Sequence, residues 1–286
     1  MDISPSYGDP PRDPGDALAL LQAYGSGRLA VRGVSVTFGN VAMVRGYPVA
    51  QELMSRIDTG LLRPWRGASS PEERAAPTEA TELLEEALRK EPLTILALGP
   101  ATTLASVLQR RPEAAERITR VILVGGHHAD AAATSTAGQP GTTGISADIG
   151  SLKVLLDSPV AITLVAPGLS TGVALDSADL DRLEEVRGPI RLVVPSARAW
   201  LQQVTTHGDQ AAFEVPALLA VDVAAHPGQL RCENASASVS TATGTPTLLV
   251  SSAPTDNGRR VTWCHTADAA AKDRILGDLM QLSAIR

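Results

Sequence analysis

The sequence predicts an α/β fold, with a mostly parallel central sheet flanked by helices in an open, Rossmann-like arrangement. Three observations predict it. Short apolar runs rich in β-branched residues recur along the 286 residues, at LAVRGVSVTF (29–38), LTILALG (93–99), RVILVGG (120–126) and AITLVAP (161–167). Helical patches separate them, and strands alternating with helices favour parallel pairing through right-handed crossovers. Two of the runs end on glycine and a third is followed by one, where a strand gives way to a turn. With 44% apolar residues the chain can bury one large core, so one domain over residues 1–286 is expected.

The elements follow in order. GDALALLQAY (15–24) has helical spacing and places Asp16 in its first turn, where a carboxylate suits the helix dipole. The strand at 29–38 stops at Gly39, and a helix follows over 41–57. LLRPW (61–65) reads as a short strand and RGASSPEERAAP (66–77) as a polar loop. TEATELLEEALRK (78–90) is amphipathic, with Thr78 or Thr81 as its cap. After the strand at 93–99 come a helix over 100–109, the strand at 120–126, and a long aperiodic stretch over 127–144. A loop of that length in a compact domain points to function or to mobility. Asp148 caps a helix over 148–156, and helices are expected over 177–186, 197–206 and 215–223. The last part predicts two strands (245–252 and 259–266) and a closing helix (272–282).

Composition excludes several classes. The formal charge of −6 and the lack of a basic run argue against a nucleic-acid partner. No apolar run reaches the ~20 residues of a membrane span. The first residues, MDISPSYGDPPRDPGD, have neither a basic nor an apolar leader segment, so a cytoplasmic location is expected. Cys232 and Cys264 are far apart and in no metal-ligand spacing, which predicts two reduced thiols. His265 beside Cys264 resembles a catalytic dyad on paper, but neighbours on a strand point to opposite faces. The sequon at Asn234 carries no meaning in a cytosolic chain. Basic residues are nearly all Arg, with Lys only at Lys90, Lys153 and Lys272, and Ala is abundant, as in GC-rich bacterial coding.

Ligands of parallel sheets bind beyond the carboxyl ends of the strands. That rule brings four segments to one cleft: 9–16, 37–40, 125–144 and 166–171.

Seven phrases, in this order, carry a resemblance. They are DPGDALALL (13–21), VSVTFGNV (34–41), RPWRGAS (63–69), LTILALGPATTLA (93–105), RVILVGG (120–126), ADIGSLKVLLDSPVAITLV (147–165) and LLAVDVAAHPGQL (218–230). Together they resemble the calcium-dependent inosine–uridine nucleoside hydrolases over nearly the whole chain. The resemblance implies the same α/β fold and an aspartate-rich loop, D-x-D-P-G-x-D-D, that holds calcium on the ribose and the attacking water. It also implies an aspartate as general base, a metal-binding carbonyl after the glycine pair and a later aspartate at an H-D-P-L-A helix start. Hard oxygen donors of this kind are what calcium requires. Relatives form dimers and tetramers, so a homo-oligomer is implied too.

Set against that pattern, this chain is depleted. Asp16 matches the last aspartate of the loop. Without a gap, Asp9 matches the first, and Pro11 and Gly15 replace the base and a ribose ligand. With a two-residue deletion, Asp13-Pro14-Gly15 keeps the base and one aspartate is lost beside Asp16. Both registers stand, and the apolar first strand expected before the loop is poor in either. The later His-Asp pair falls on Pro216 and Ala217, with Glu214 the nearest acid upstream. Thr142-Thr143-Gly144 stands for the ribose-binding E-F-N, and Thr102-Thr103 for a Thr-Asn. Thr37 to Asn40 survive intact.

The resulting expectation is an enzyme repurposed to act without calcium on a small molecule in the ancestral cleft, as in a bacterial biosynthetic pathway. Asp13, Asp16 and His127 are the candidate catalytic residues, by proton transfer between carboxylate and imidazole. Asp9, Asn40, His128, Thr142 and Glu214 are the candidate substrate contacts, with no metal and no cofactor. A transition-metal site on the histidines is a rival reading, since imidazole suits zinc or iron. Two further alternatives are an inactive paralogue that binds a ligand or partner, and a weak N-ribohydrolase that retains Asp13 as base.

Overall fold

The structure, a computed structural model, describes residues 1–8, 10–57, 63–128, 143–206, 211–241 and 246–282. The strands are β1 (Asp2–Ile3), β2 (Ser35–Val36), β3 (Trp65–Arg66), β4 (Leu93–Ala97), β5 (Ile118–Val124), β6 (His127–His128), β7 (Ile162–Val165), β8 (Leu175–Asp176), β9 (Ala212–Phe213), β10 (Arg231–Ser240), β11 (Thr247–Ser251) and β12 (Arg259–Thr266). The helices are α1 (Gly15–Gly25), α2 (Met43–Ser55), α3 (Glu79–Lys90), α4 (Thr102–Arg110), α5 (Thr143–Ser146), α6 (Ile149–Asp157), α7 (Ser177–Glu185), α8 (Ile190–Thr206), α9 (Pro216–Ala225) and α10 (Ala271–Gln281).

Ten strands form one sheet in the order β3-β2-β1-β4-β5-β7-β12-β10-β11-β6, and β8 pairs with β9 separately. Pairing is parallel from β3 through to β12, as predicted, and turns antiparallel at β12–β10 and β10–β11. The central strand β7 (ITLV) is buried along its whole length, and β4 and β5 are apolar where the sheet is covered by helices. Such runs do not alternate, because both faces of a parallel sheet are covered. Helix α1 is apolar nearly all round because α9 and α10 pack against it. Asp222, inside α9, is fully buried and is matched by Arg274 of α10, whose Nε and Nη2 donate at 3.0 and 2.8 Å. This two-pronged contact ties the closing helix to the core.

Several expectations change. The strand foreseen over 29–38 is reduced to β2, since β1 offers ladder partners only to Ser35 and Val36. The loop at 66–77 contains a 3-10 turn over Pro71–Ala75. The helix foreseen from 197 begins at Ile190, with Pro195 inside it. Strand β10 was not foreseen at all. It is built largely from small and polar residues rather than β-branched ones, and its partners on both sides, not its propensity, make it a strand. Its pairing with β12 places Cys232 opposite Cys264, which are joined as a disulfide with a Cα–Cα distance of 3.9 Å. The expected pair of reduced thiols is thereby corrected: a separation of 32 residues closes because the two strands run antiparallel in register. The disulfide also removes Cys264 from any dyad with His265. Among the described residues no helix is long and apolar enough to cross a membrane.

Candidate active site

The site forms where β1, β2 and β4 end. Ser4 follows β1, and its backbone N–H donates to Asp16 Oδ2 at 2.7 Å. The Ser4 hydroxyl donates to Val41 O and accepts from Val41 N, both at 3.2 Å, so the turn after β2 is tied to the strand beside it. Asn40 completes the join: its Nδ2 donates to Asp13 O at 2.8 Å and to Ser4 O at 3.3 Å. Gly39 lets the turn form, with φ +139° and with Pro100 Cδ only 2.8 Å from where a Cβ would stand. Thr37 points into the fold instead, its hydroxyl donating to Ala68 O at 3.2 Å.

Asp13 accepts at Oδ1 from Gly15 N at 2.8 Å, a local turn that sets up the first residues of α1. Asp16 lies in the first turn of that helix. Withdrawal of the carboxyls from water pushes Asp13 up to about 6 and Asp16 up to about 7, each only partly opposed by its backbone N–H partner. The charges of Asp13 and Asp2 push Asp16 further in the same direction. Asp2 is itself buried, accepts from Ser35 Oγ at 2.7 Å, and is raised to about 6 by burial. No cation among the described residues pairs with Asp13 or Asp16. Directly across from this loop is the start of α9: Ala217 Cβ stands 3.8 Å from the position a Cβ on Gly15 would take.

Of the residues expected in the cleft, the structure brings together Asp13, Asp16 and Asn40. Asp9 and Thr142 lie outside the described residues. Glu214 is half-buried in the segment between β9 and α9. His127 and His128 are not in a free loop but form β6, which pairs with β11 at the far end of the sheet order from β1. The His128 ring lies against Trp263, with centroids 5.5 Å apart, and Trp263 in turn lies against His265 at 5.2 Å. None of the contacts of Asp13 and Asp16 given above involves either histidine of β6. Sequence reasoning missed Asp2 and Ser4, in and just after β1, because that strand is two residues long and its apolar signal is a single isoleucine. It also passed over Arg12 and Arg45, which border the cavity beside Asn40.

The fold is that of solved nucleoside hydrolases. The chain superposes on a plant nucleoside hydrolase with a TM-score of 0.80 at 18% identity, covering 99% of this chain and 98% of the other. On a purine-preferring ribonucleoside hydrolase from Gardnerella vaginalis the TM-score is 0.82 at 16% identity, covering 98% and 97%. In sequence it is 26% identical to a pyrimidine-specific ribonucleoside hydrolase of Salmonella typhimurium, over 64% of this chain and 67% of the relative. The profile of the inosine-uridine preferring nucleoside hydrolases matches residues 9–273, and the chain belongs to that family.

Proposed function

We propose that the chain is a calcium-independent enzyme that acts on a small ribosyl compound in the family's cleft, with Asp13 and Asp16 moving the protons. The observation that carries this reading is the apolar face opposite the carboxylates, where Ala217 abuts Gly15. Calcium takes about six to eight oxygens. Among its described residues the loop supplies two carboxylates, each with one oxygen already engaged by a backbone N–H, and the helix start across from it supplies a methyl group. Among the described residues no group of three or more His, Cys, Asp or Glu is placed to hold a metal ion. The described residues do not by themselves make up the family's calcium cage, and no step here runs through that ion.

The chemistry that remains is proton transfer. Near neutral pH Asp13, at about 6, is mostly ionised and suits a base that takes a proton from water. Asp16, at about 7, holds its proton longer and suits an acid toward a leaving group. Asn40 fixes the Asp13 backbone and Ser4 fixes the Asp16 carboxylate, so both are oriented before substrate arrives.

Family membership favours a second reading, hydrolysis of ordinary nucleosides with Asp13 as base. Release of free base from a nucleoside panel, measured with a calcium chelator and with added calcium, separates the two. Turnover that is indifferent to the chelator and lost in Asp13→Asn supports the proposal. Turnover stimulated more than about tenfold by calcium overturns it in favour of the second reading. Ligand binding that leaves every N-riboside intact overturns both and leaves a binding protein.

A further inference from the structure

Two arginines flank the turn that carries Asn40. Arg12 immediately precedes Asp13, and Arg45 lies in the first turn of α2. Both line one open cavity of about 430 Å³, together with Phe38, Gly39, Asn40 and Val41. Both side chains are exposed, and neither is paired with a carboxylate among the described residues. That sets them apart from Arg63, Arg74, Arg198 and Arg274, each held by an acidic partner at 2.8 Å or closer. In a chain of formal charge −6, these guanidiniums place two positive charges on one cavity. Guanidinium presents its donors as a planar fork that matches the oxygens of a phosphate.

We infer that this cavity takes the phosphate of a phosphate monoester, so that the ligand of the neighbouring Asp13 loop is a phosphorylated ribosyl compound rather than a free nucleoside. Asn40 couples the two halves of the site, because its side chain holds the Asp13 carbonyl while it borders the cavity itself. A phosphate anchored on Arg12 and Arg45 lies next to the Asp13 loop, since Arg12 precedes Asp13 in the chain and Asn40 binds the Asp13 carbonyl. Phe38 offers the cavity an apolar wall. The inference rests on the reading that the Asp13 loop is the reacting end of the site.

The test is calorimetric titration of uridine 5′-monophosphate, uridine and inorganic phosphate into the full chain and three variants: Arg12→Ala/Arg45→Ala, Arg45→Gln and Asp13→Asn. The monophosphate is expected to bind more than about tenfold tighter than uridine, with the preference falling as salt rises. The double variant loses that preference and Arg45→Gln loses part of it, with circular dichroism unchanged in both because the side chains are exposed. Asp13→Asn keeps the preference. Equal binding of nucleotide and nucleoside overturns the inference, as does a preference that survives in the double variant. Inorganic phosphate binding as tightly as the nucleotide also overturns it, since the arginines then trap any anion. Base release by wild type and Asp13→Asn, measured in parallel, reports on the proton-transfer reading alone. A phosphate preference without turnover, or turnover without a preference, therefore identifies which of the two has failed.

Discussion

Asp148 and Asp16 both sit at the start of a helix, and the protein treats them in opposite ways. Asp148 is 4% exposed and caps α6 through Ser151 N at 3.0 Å. It also accepts from Thr102 Oγ1 at 2.7 Å, from the Ser151 hydroxyl, and from Arg74 Nη1 at 2.5 Å, so its charge meets a cation and several donors. Asp16 and its neighbour Asp13 receive one backbone N–H each and no cation among the described residues. A buried carboxylate is tolerable when paired and hydrogen-bonded, and otherwise holds its proton to higher pH. One acid is therefore finished as a structural joint, while the other two remain available to exchange protons. Perturbed acids of the second kind collect at functional sites.

The contrast breaks if the two kinds of acid respond alike to removal. Asp13→Asn is expected to lower turnover by about 10²–10⁴, the usual contribution of a positioned base, with the urea midpoint unchanged or raised. Asp148→Ala is expected to do the reverse: a loss of about 2–4 kcal/mol in urea unfolding, because Arg74, Thr102 and the first turn of α6 lose their partner together. Refolded Asp148→Ala should then retain wild-type turnover per folded molecule. Equal losses of stability in both variants would show that Asp13 is a structural residue too.

What could be read in the sequence divides along the same line. Local devices were legible: the Thr78 cap, one of the two threonines expected at the start of α3, and the Asp148 cap need only three residues of separation. So was the start of α1 at Gly15, with Asp16 in its first turn. Features that depend on a distant partner were not. β10 becomes a strand because β11 and β12 flank it, and Cys232 meets Cys264 only through that pairing. His127 and His128 were candidates for the cleft, and the pairing that places them in a ladder with β11 at the end of the sheet order could not be read from their neighbours in the chain. Ser4, Arg12 and Arg45 converge through the Asn40 turn, and no spacing in the sequence announces that.

Protonation supplies a finer test of the comparison. An unfolded aspartate releases its proton near 3.8, whereas Asp16 in the fold does so near about 7. Between those values the native state binds more protons than the unfolded one, so the contribution of Asp16 to stability falls as pH rises from about 4 to about 7 and is constant above. Asp16→Asn retains an oxygen for Ser4 N–H and carries no charge. It is expected to flatten this slope and to be more stable than wild type at pH 8 by about 0.5–2 kcal/mol, an advantage that shrinks toward pH 4. Guanidinium titrations at several pH values read this directly. The rate of the wild type should follow a bell with limbs near about 6 and about 7, the ranges of Asp13 and Asp16.

The smallest expected effect comes from reversing the apolar substitution across the loop. Ala217 is 7% exposed and faces Gly15. Ala217→Asp places a third carboxylate beside Asp13 and Asp16, which by itself destabilises the fold at neutral pH through like-charge repulsion. A cation that binds the folded state offsets that loss by mass action, worth about 1.4 kcal/mol when calcium exceeds its dissociation constant tenfold. In a chain of this size that corresponds to roughly 2–4 °C. The wild type is expected to melt at the same temperature with and without calcium, and Ala217→Asp to gain a calcium-dependent rise of that order. A rise in the wild type would show that the loop gathers enough oxygen ligands without α9, and the calcium-independent reading would fall. No rise in either would mean that the carboxylates are already too committed, to Ser4 and Gly15, for one added acid to rebuild a cation site.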